Sequence, residues 1–144
     1  MKHPNIVHLV GACTDPLCLV MEYGELGSLT DIIRINPSRL TWMRIKTLML
    51  EVARGMCFLH GQQPALTHQN LSSNNIIVNE YWSARIADAG LSSILKESGE
   101  YKLSYPKRWS APEVLLGRRF TTKSDVFVSV PFLLYSPTCP CLVH

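Results

Sequence analysis

Apolar and β-branched residues cluster early in the chain. Ile6-Val7-His8-Leu9-Val10 is a short run closed by Gly11, and Leu17-Cys18-Leu19-Val20-Met21 is a second. Thr14-Asp15-Pro16 between them is turn material, so the pattern predicts a hairpin of two buried strands. Gly24 and Gly27 interrupt it, and Ser28 is placed to cap a short helix from Leu29 to Ile35, stopped by Asn36-Pro37. Thr41 opens the clearest helix. Ile45, Leu48, Met49, Val52, Met56 and Leu59 recur at three- and four-residue steps, Arg44, Lys46, Glu51 and Arg54 fall on the other side, and His60-Gly61 ends it. One face of this helix is expected in a core, with structural rather than catalytic residues. Two strand-like pieces follow, Ile76-Ile77-Val78 and Ala84-Arg85-Ile86, around the turn residues Asn79-Glu80. A polar stretch over 92–107 is long for a loop, which marks it as functional or mobile. Ala111-Pro112-Glu113 opens a short helix through Leu116, with Pro112 suited to its first turn. From Val128 onward apolar residues mix with Pro131, Pro137 and Pro140 without helical or strand period, and no packed element is predicted there.

The 144 residues are 47% hydrophobic and 17% charged, with a formal net charge of +3. This length suits one domain able to bury a core, and the hydrophobic share excludes disorder for most of it. So small a net charge gives no reason to expect a nucleic-acid partner. The clusters Lys107-Arg108 and Arg118-Arg119 read as a solvated face. The apolar run 126–135 contains Ser129 and Pro131 and is too short to span a bilayer, and Met1-Lys2-His3-Pro4 lacks a signal-peptide core. A cytoplasmic location without membrane association is the resulting expectation. The five cysteines are odd in number and scattered in spacing, against a disulfide framework. Cys57 sits in the apolar helical pattern as a small core residue, and Cys139-Pro-Cys141 lacks the accompanying ligands of a metal site.

Three short motifs carry chemistry. His68-Gln69-Asn70-Leu71-Ser72-Ser73-Asn74-Asn75 comes first, Asp88-Ala89-Gly90 follows a strand, and Ala111-Pro112-Glu113 closes the set. Taken alone, Asp88 is equally a turn residue before Gly90, and Asn75 a loop cap. In this order they resemble the H-R-D-L-x-x-x-N, D-F-G and A-P-E signatures of eukaryotic protein kinases. Flanking pieces agree. His3-Pro4-Asn5-Ile6-Val7 resembles the start of the fourth kinase strand, Val20-Met21-Glu22-Tyr23 with Gly27-Ser28-Leu29 the hinge, and Lys123-Ser124-Asp125-Val126 the start of the central helix of the large lobe. Tyr105-Pro106-Lys107-Arg108-Trp109-Ser110-Ala111-Pro112-Glu113 is similar to the tyrosine-kinase form of its segment. The resemblance covers residues 4–127 and implies a partial α+β kinase-like fold of the tyrosine-kinase or tyrosine-kinase-like branch, namely the end of the small lobe, the hinge and the first half of the large lobe. Residues 128–144 are expected to be an unrelated or disordered tail, of the kind a misjudged exon boundary or an alternative transcript would produce.

The resemblance also implies ATP and magnesium. Phosphoryl transfer is mostly positioning and charge neutralisation, and magnesium takes hard oxygen ligands. Asp88 and Asn75 stand where the family places its metal ligands, Met21 where it places the gatekeeper, and Glu22, Gly24 and Ile77 around the adenine. His68 and Leu9 would belong to the family's regulatory stack. Departures are as informative. Asn70 occupies the place of the base aspartate, and a neutral amide cannot accept the substrate proton. Gln69 replaces the arginine before it, Ser72, Ser73 and Asn74 leave the loop without its usual cation, and Ala89 replaces the phenylalanine. No G-x-G-x-x-G loop or V-A-I-K-type lysine occurs, and the arginine that pairs with Glu113 in the family lies beyond the region matched. The expectation is a partial, catalytically inactive pseudokinase-like domain whose remaining role is to bind or regulate a protein partner. A fragment of an active kinase acting on Ser, Thr or Tyr of proteins is the alternative, and an unrelated adaptor with accidental motifs a third reading. Ser98, Tyr101, Ser104 and Tyr105 would lie in the activation segment, either as phosphorylation sites or as ordinary loop polarity.

Overall fold

The computed structural model describes residues 2–90 and 110–134. In chain order the elements are β1 (Leu9–Thr14), β2 (Leu17–Met21), α1 (Leu29–Ile35), a 3₁₀ turn (Pro37–Arg39), α2 (Trp42–His60), a second 3₁₀ turn (Ser73–Asn75), β3 (Ile76–Val78), β4 (Ala84–Ile86), α3 (Pro112–Leu115) and α4 (Thr122–Leu134). β1 pairs with β2, and β3 with β4, in two separate antiparallel hairpins. Mixed helices and small sheets of this kind make the α+β, partial kinase-like architecture that the motifs imply.

The centre of the fold is α2 lying against the β3–β4 hairpin. Leu48, Val52 and Leu59 of α2 are buried with Ile76, Val78 and Ile86 of the two strands. Gly55 allows the close approach. A Cβ there would stand 2.7 Å from Ile86 Cδ1 and 2.8 Å from the Asn5 carbonyl oxygen. Polar residues on the flank of α2 also reach the strands. Glu51 accepts a 2.6 Å hydrogen bond from the Ala84 N–H, fixing the start of β4. Trp82, in the connection between β3 and β4, lies under the Arg44 guanidinium at 3.9 Å and the Arg39 guanidinium at 5.3 Å. The helix caps act locally, as their chemistry requires. Thr41 Oγ1 accepts from the Arg44 N–H, and Ser28 and Asp31 form a reciprocal capping box on α1.

Four expectations fail, each for an identifiable reason. The run beginning at Ile6 divides. Ile6 turns into the core and bridges Ile86, with Val7 N–H donating to the Ile86 carbonyl at 2.9 Å, so β1 starts at Leu9 and passes through Gly11. The first hairpin is exposed rather than buried. Val10 is 66% exposed and Leu9, expected in a stack with His68, is 51% exposed, because no described element covers this sheet. Cys57 is exposed, since it lies one position off the buried stripe of Val52, Met56 and Leu59. Finally, α4 continues to Leu134 with Val128 in the core. A segment apolar on every turn shows no amphipathic period, so its helix is invisible to pattern reading. The polar stretch 92–107 and residues 135–144, including Cys139 and Cys141, lie outside the described residues.

The Gly55 contact can be tested against helix propensity, which favours alanine over glycine by about 1 kcal/mol. Gly55→Ala is expected to lower stability by about 1–3 kcal/mol instead, because the Asn5 backbone must shift. Urea unfolding of the two chains measures the sign, and a gain in stability would remove the close approach.

Candidate functional site

The loop that follows α2 is held from below by one carboxylate. Asp125, near the start of α4, is almost fully buried. Its Oδ2 accepts the His68 backbone N–H at 2.9 Å and contacts His60 Nε2 at 2.9 Å, while its Oδ1 accepts the Gln69 backbone N–H at 2.9 Å. These bonds hold Gln69 at φ 64°, in the left-handed region that non-glycine residues rarely enter. Asn70 follows this turn and is half-buried.

His68 closes the loop from above. Its ring is fully buried, the Asn70 N–H donates to Nδ1 at 3.2 Å, and Nε2 donates to the Ala87 carbonyl at 2.8 Å. That pairing leaves one ring proton, on Nε2. Burial pushes the His68 pKa below the ordinary value of 6.5, against the Ala87 carbonyl and the nearby Asp125 and Asp88 charges, which pull it up. Asn75 joins the same cluster. Its Nδ2 donates to the Asn70 carbonyl at 2.8 Å, and its own carbonyl accepts the Ala87 N–H at 2.8 Å. Asp88 follows one residue later at φ 59°, half-buried, with Gly90 at φ 84° completing the turn. Thus His68, Asn70, Asn75 and Asp88 meet where the loop joins the end of β4.

A second group forms at the other end of the β3–β4 hairpin. Gly24 packs so closely that a Cβ would stand 2.2 Å from Ile77 Cγ2. Leu26 N–H donates to the Val78 carbonyl at 3.1 Å and Val78 N–H to the Gly27 carbonyl at 2.9 Å, stitching the segment after β2 onto β3. The Glu22 side chain forms an ion pair with Arg85, which lies opposite Ile77 in the hairpin register. The Glu22 N–H donates to the His8 carbonyl at 2.9 Å. Gly24 and Ile77 are therefore in contact, Glu22 is linked to them through Arg85, and Met21 ends β2 at 42% exposure.

Asp88 and the amide oxygen of Asn75 are hard donors of the kind magnesium takes when phosphate oxygens complete its shell. Among the described residues no group of three or more His, Cys, Asp or Glu side chains could hold a metal without such help. The third motif is ordered by a contact within the chain. Ser124 Oγ donates to Glu113 Oε1 at 2.6 Å, and this bond, with Arg118 adding a smaller effect, holds the Glu113 carboxyl below its usual range.

Comparison with known families decides the assignment: the profile of the protein tyrosine and serine/threonine kinase family matches residues 1–130. The chain belongs to the protein kinase superfamily. Curated kinases are similar over most of its length. The probable serine/threonine-protein kinase drkB of Dictyostelium discoideum is 34% identical over 129 residues, covering 88% of this chain and 19% of its own length. The probable serine/threonine-protein kinase drkC of the same organism is 38% identical over 133 residues, covering 88% and 18%. The putative serine/threonine-protein kinase/receptor R831 of Acanthamoeba polyphaga mimivirus is 33% identical over 129 residues, covering 88% and 8%. The chain spans about a fifth or less of the length of these relatives. Sequence reading places His60, Arg85, Ser124 and Asp125 in secondary-structure elements and gives none of them a part in the site. A buried carboxylate reveals itself only through its donors, and those lie far away along the chain.

Two outcomes follow for this kinase segment. Asp125→Ala removes the buried acceptor of the His68 and Gln69 backbone N–H groups and the partner of the His60 ring, and is expected to lower the free energy of unfolding by about 3–5 kcal/mol, read by urea denaturation. His68 is held neutral in the fold, whereas the unfolded chain binds a proton at the ordinary value. Its contribution to stability is therefore complete above pH 6.5 and lost as pH falls below it. An NMR titration of the His68 ring is expected to give a midpoint below 6.5, and a midpoint at or above it would contradict the buried neutral ring.

Proposed function

We propose that this is a pseudokinase-like part of a kinase domain of the tyrosine-kinase-like branch, in which phosphoryl transfer is lost and binding or regulating a protein partner remains. One observation carries the reading: Asn70 stands where the family has its base, at a loop otherwise built to present that residue. Asn70 N–H is bonded to His68 and its carbonyl to Asn75, so the position is ordered and only the chemistry of the side chain is changed. Loss of a general base is worth about 10²–10⁴ in rate, or roughly 3–5 kcal/mol of barrier.

Asp88, Asn75 and His68 keep the types the family uses beside the phosphates, while Met21, Glu22, Gly24 and Ile77 would surround the adenine. In this reading the machinery for holding a magnesium nucleotide is partly retained, although the chain contains no V-A-I-K-type lysine to anchor the phosphates. A membrane-spanning helix is absent among the described residues. We place the protein in the cytoplasm, with a protein as partner.

The alternative is a segment of an active serine/threonine kinase. The relatives described as serine/threonine-protein kinases favour that specificity, and the donors Asp88 and Asn75 favour nucleotide binding. Phosphate transfer separates the two. Joined to a kinase small lobe with a glycine-rich loop and lysine, the native chain is expected to be inactive on peptide substrates. Asn70→Asp is expected to raise the rate about 10²-fold or more. Transfer by the chain with Asn70 intact, abolished by Asp88→Ala, would establish the active kinase. The 144-residue chain alone is expected to show no thermal shift with ATP and magnesium.

A further inference from the structure

Two cysteines far from the catalytic loop are brought face to face by the first hairpin. Cys13 and Cys18 are direct partners in the antiparallel register of β1 and β2, one pair away from the turn. Directly opposed residues in such a pair have Cα atoms about 4.5–5.5 Å apart and side chains on the same face. That separation lies inside the roughly 4.4–6.8 Å range a disulfide needs. Both cysteines are exposed and unbridged, and Cys13 Sγ donates to the Asp15 carbonyl at 3.3 Å, toward the turn. Cys57 is exposed as well but lies on α2, outside this register.

We propose that Cys13 and Cys18 form a reversible, oxidant-sensitive pair, with glutathione disulfide as the class of oxidant. The thiolate of one cysteine attacks a sulfur of glutathione disulfide, forming a mixed disulfide and expelling one glutathione thiolate, which takes up the proton. The opposing cysteine, as thiolate, then attacks the protein sulfur, closing the Cys13–Cys18 bond and expelling the second glutathione. Two protein thiols are oxidised and one glutathione disulfide is reduced to two thiols. Intracellular proteins are ordinarily kept reduced, and the disulfides they do form are typically transient and redox-sensing. The bond would tie β1 to β2 within a few residues of Met21 and Glu22, at the entrance to the hinge segment.

The test uses the 144-residue chain in glutathione buffers of rising oxidised fraction, followed by alkylation of free thiols and mass spectrometry. Cleavage at Asp15, between the two cysteines, is expected to leave fragments joined by a Cys13–Cys18 bond, with Cys57 outside the linkage. Cys18→Ser is expected to trap glutathione on Cys13, since nothing remains opposite to expel it. Separate glutathione adducts on Cys13 and Cys18 without a link would overturn the proposal. So would linkage of either residue to Cys57, Cys139 or Cys141 in preference to each other.

Discussion

The Asp125 carboxylate is the constraint on which the site depends. Two backbone N–H groups and the His60 ring converge on its two oxygens, all at 2.9 Å, in a nearly water-free position. A carboxylate in such a place is tolerated only with hydrogen-bond partners on its oxygens. The same bonds that satisfy it force Gln69 into a left-handed turn, and that turn presents Asn70. The helix carrying Asp125 also positions Ser124 against Glu113, so one end of α4 orders both the loop from His68 to Asn75 and the segment of Glu113.

The β3–β4 hairpin is the other organising piece. Its buried face meets α2 across Gly55, β3 receives the hinge-like segment at Ile77 and Val78, and the end of β4 delivers Ala87 and Asp88 to His68 and Asn75. Three-residue strands are too short to be stable alone. They persist because each is clamped by side chains and backbone from elsewhere, Glu51 at Ala84 and Asn5 at Ile86 among them.

Local chemistry was legible in the sequence and long-range chemistry was not. Thr41 and Gly61 mark the ends of α2 because a cap acts on residues within one turn of itself. β3 and β4 were read to the residue for similar reasons, with turn residues bracketing β-branched runs. The three kinase-like motifs are legible through their order, and the superfamily that this order implies is the one to which the chain belongs. By contrast, an apolar run reads the same whether or not another element covers it, so the exposure of Leu9 and Val10 could not be foreseen. Cys13 and Cys18 appeared scattered because strand register, not spacing, makes them neighbours.

Trp82 has a practical consequence. Its indole, in the β3–β4 connection, lies under the Arg44 guanidinium at the start of α2 and the Arg39 guanidinium of the preceding 3₁₀ turn. Trp42 on that helix is 59% exposed, with the Lys46 ammonium 5.1 Å from its ring. The molecule thus carries an optical probe at the seam between its central helix and its central hairpin. With Trp42 and Trp109 replaced by phenylalanine, emission from Trp82 alone would report the docking of those two pieces.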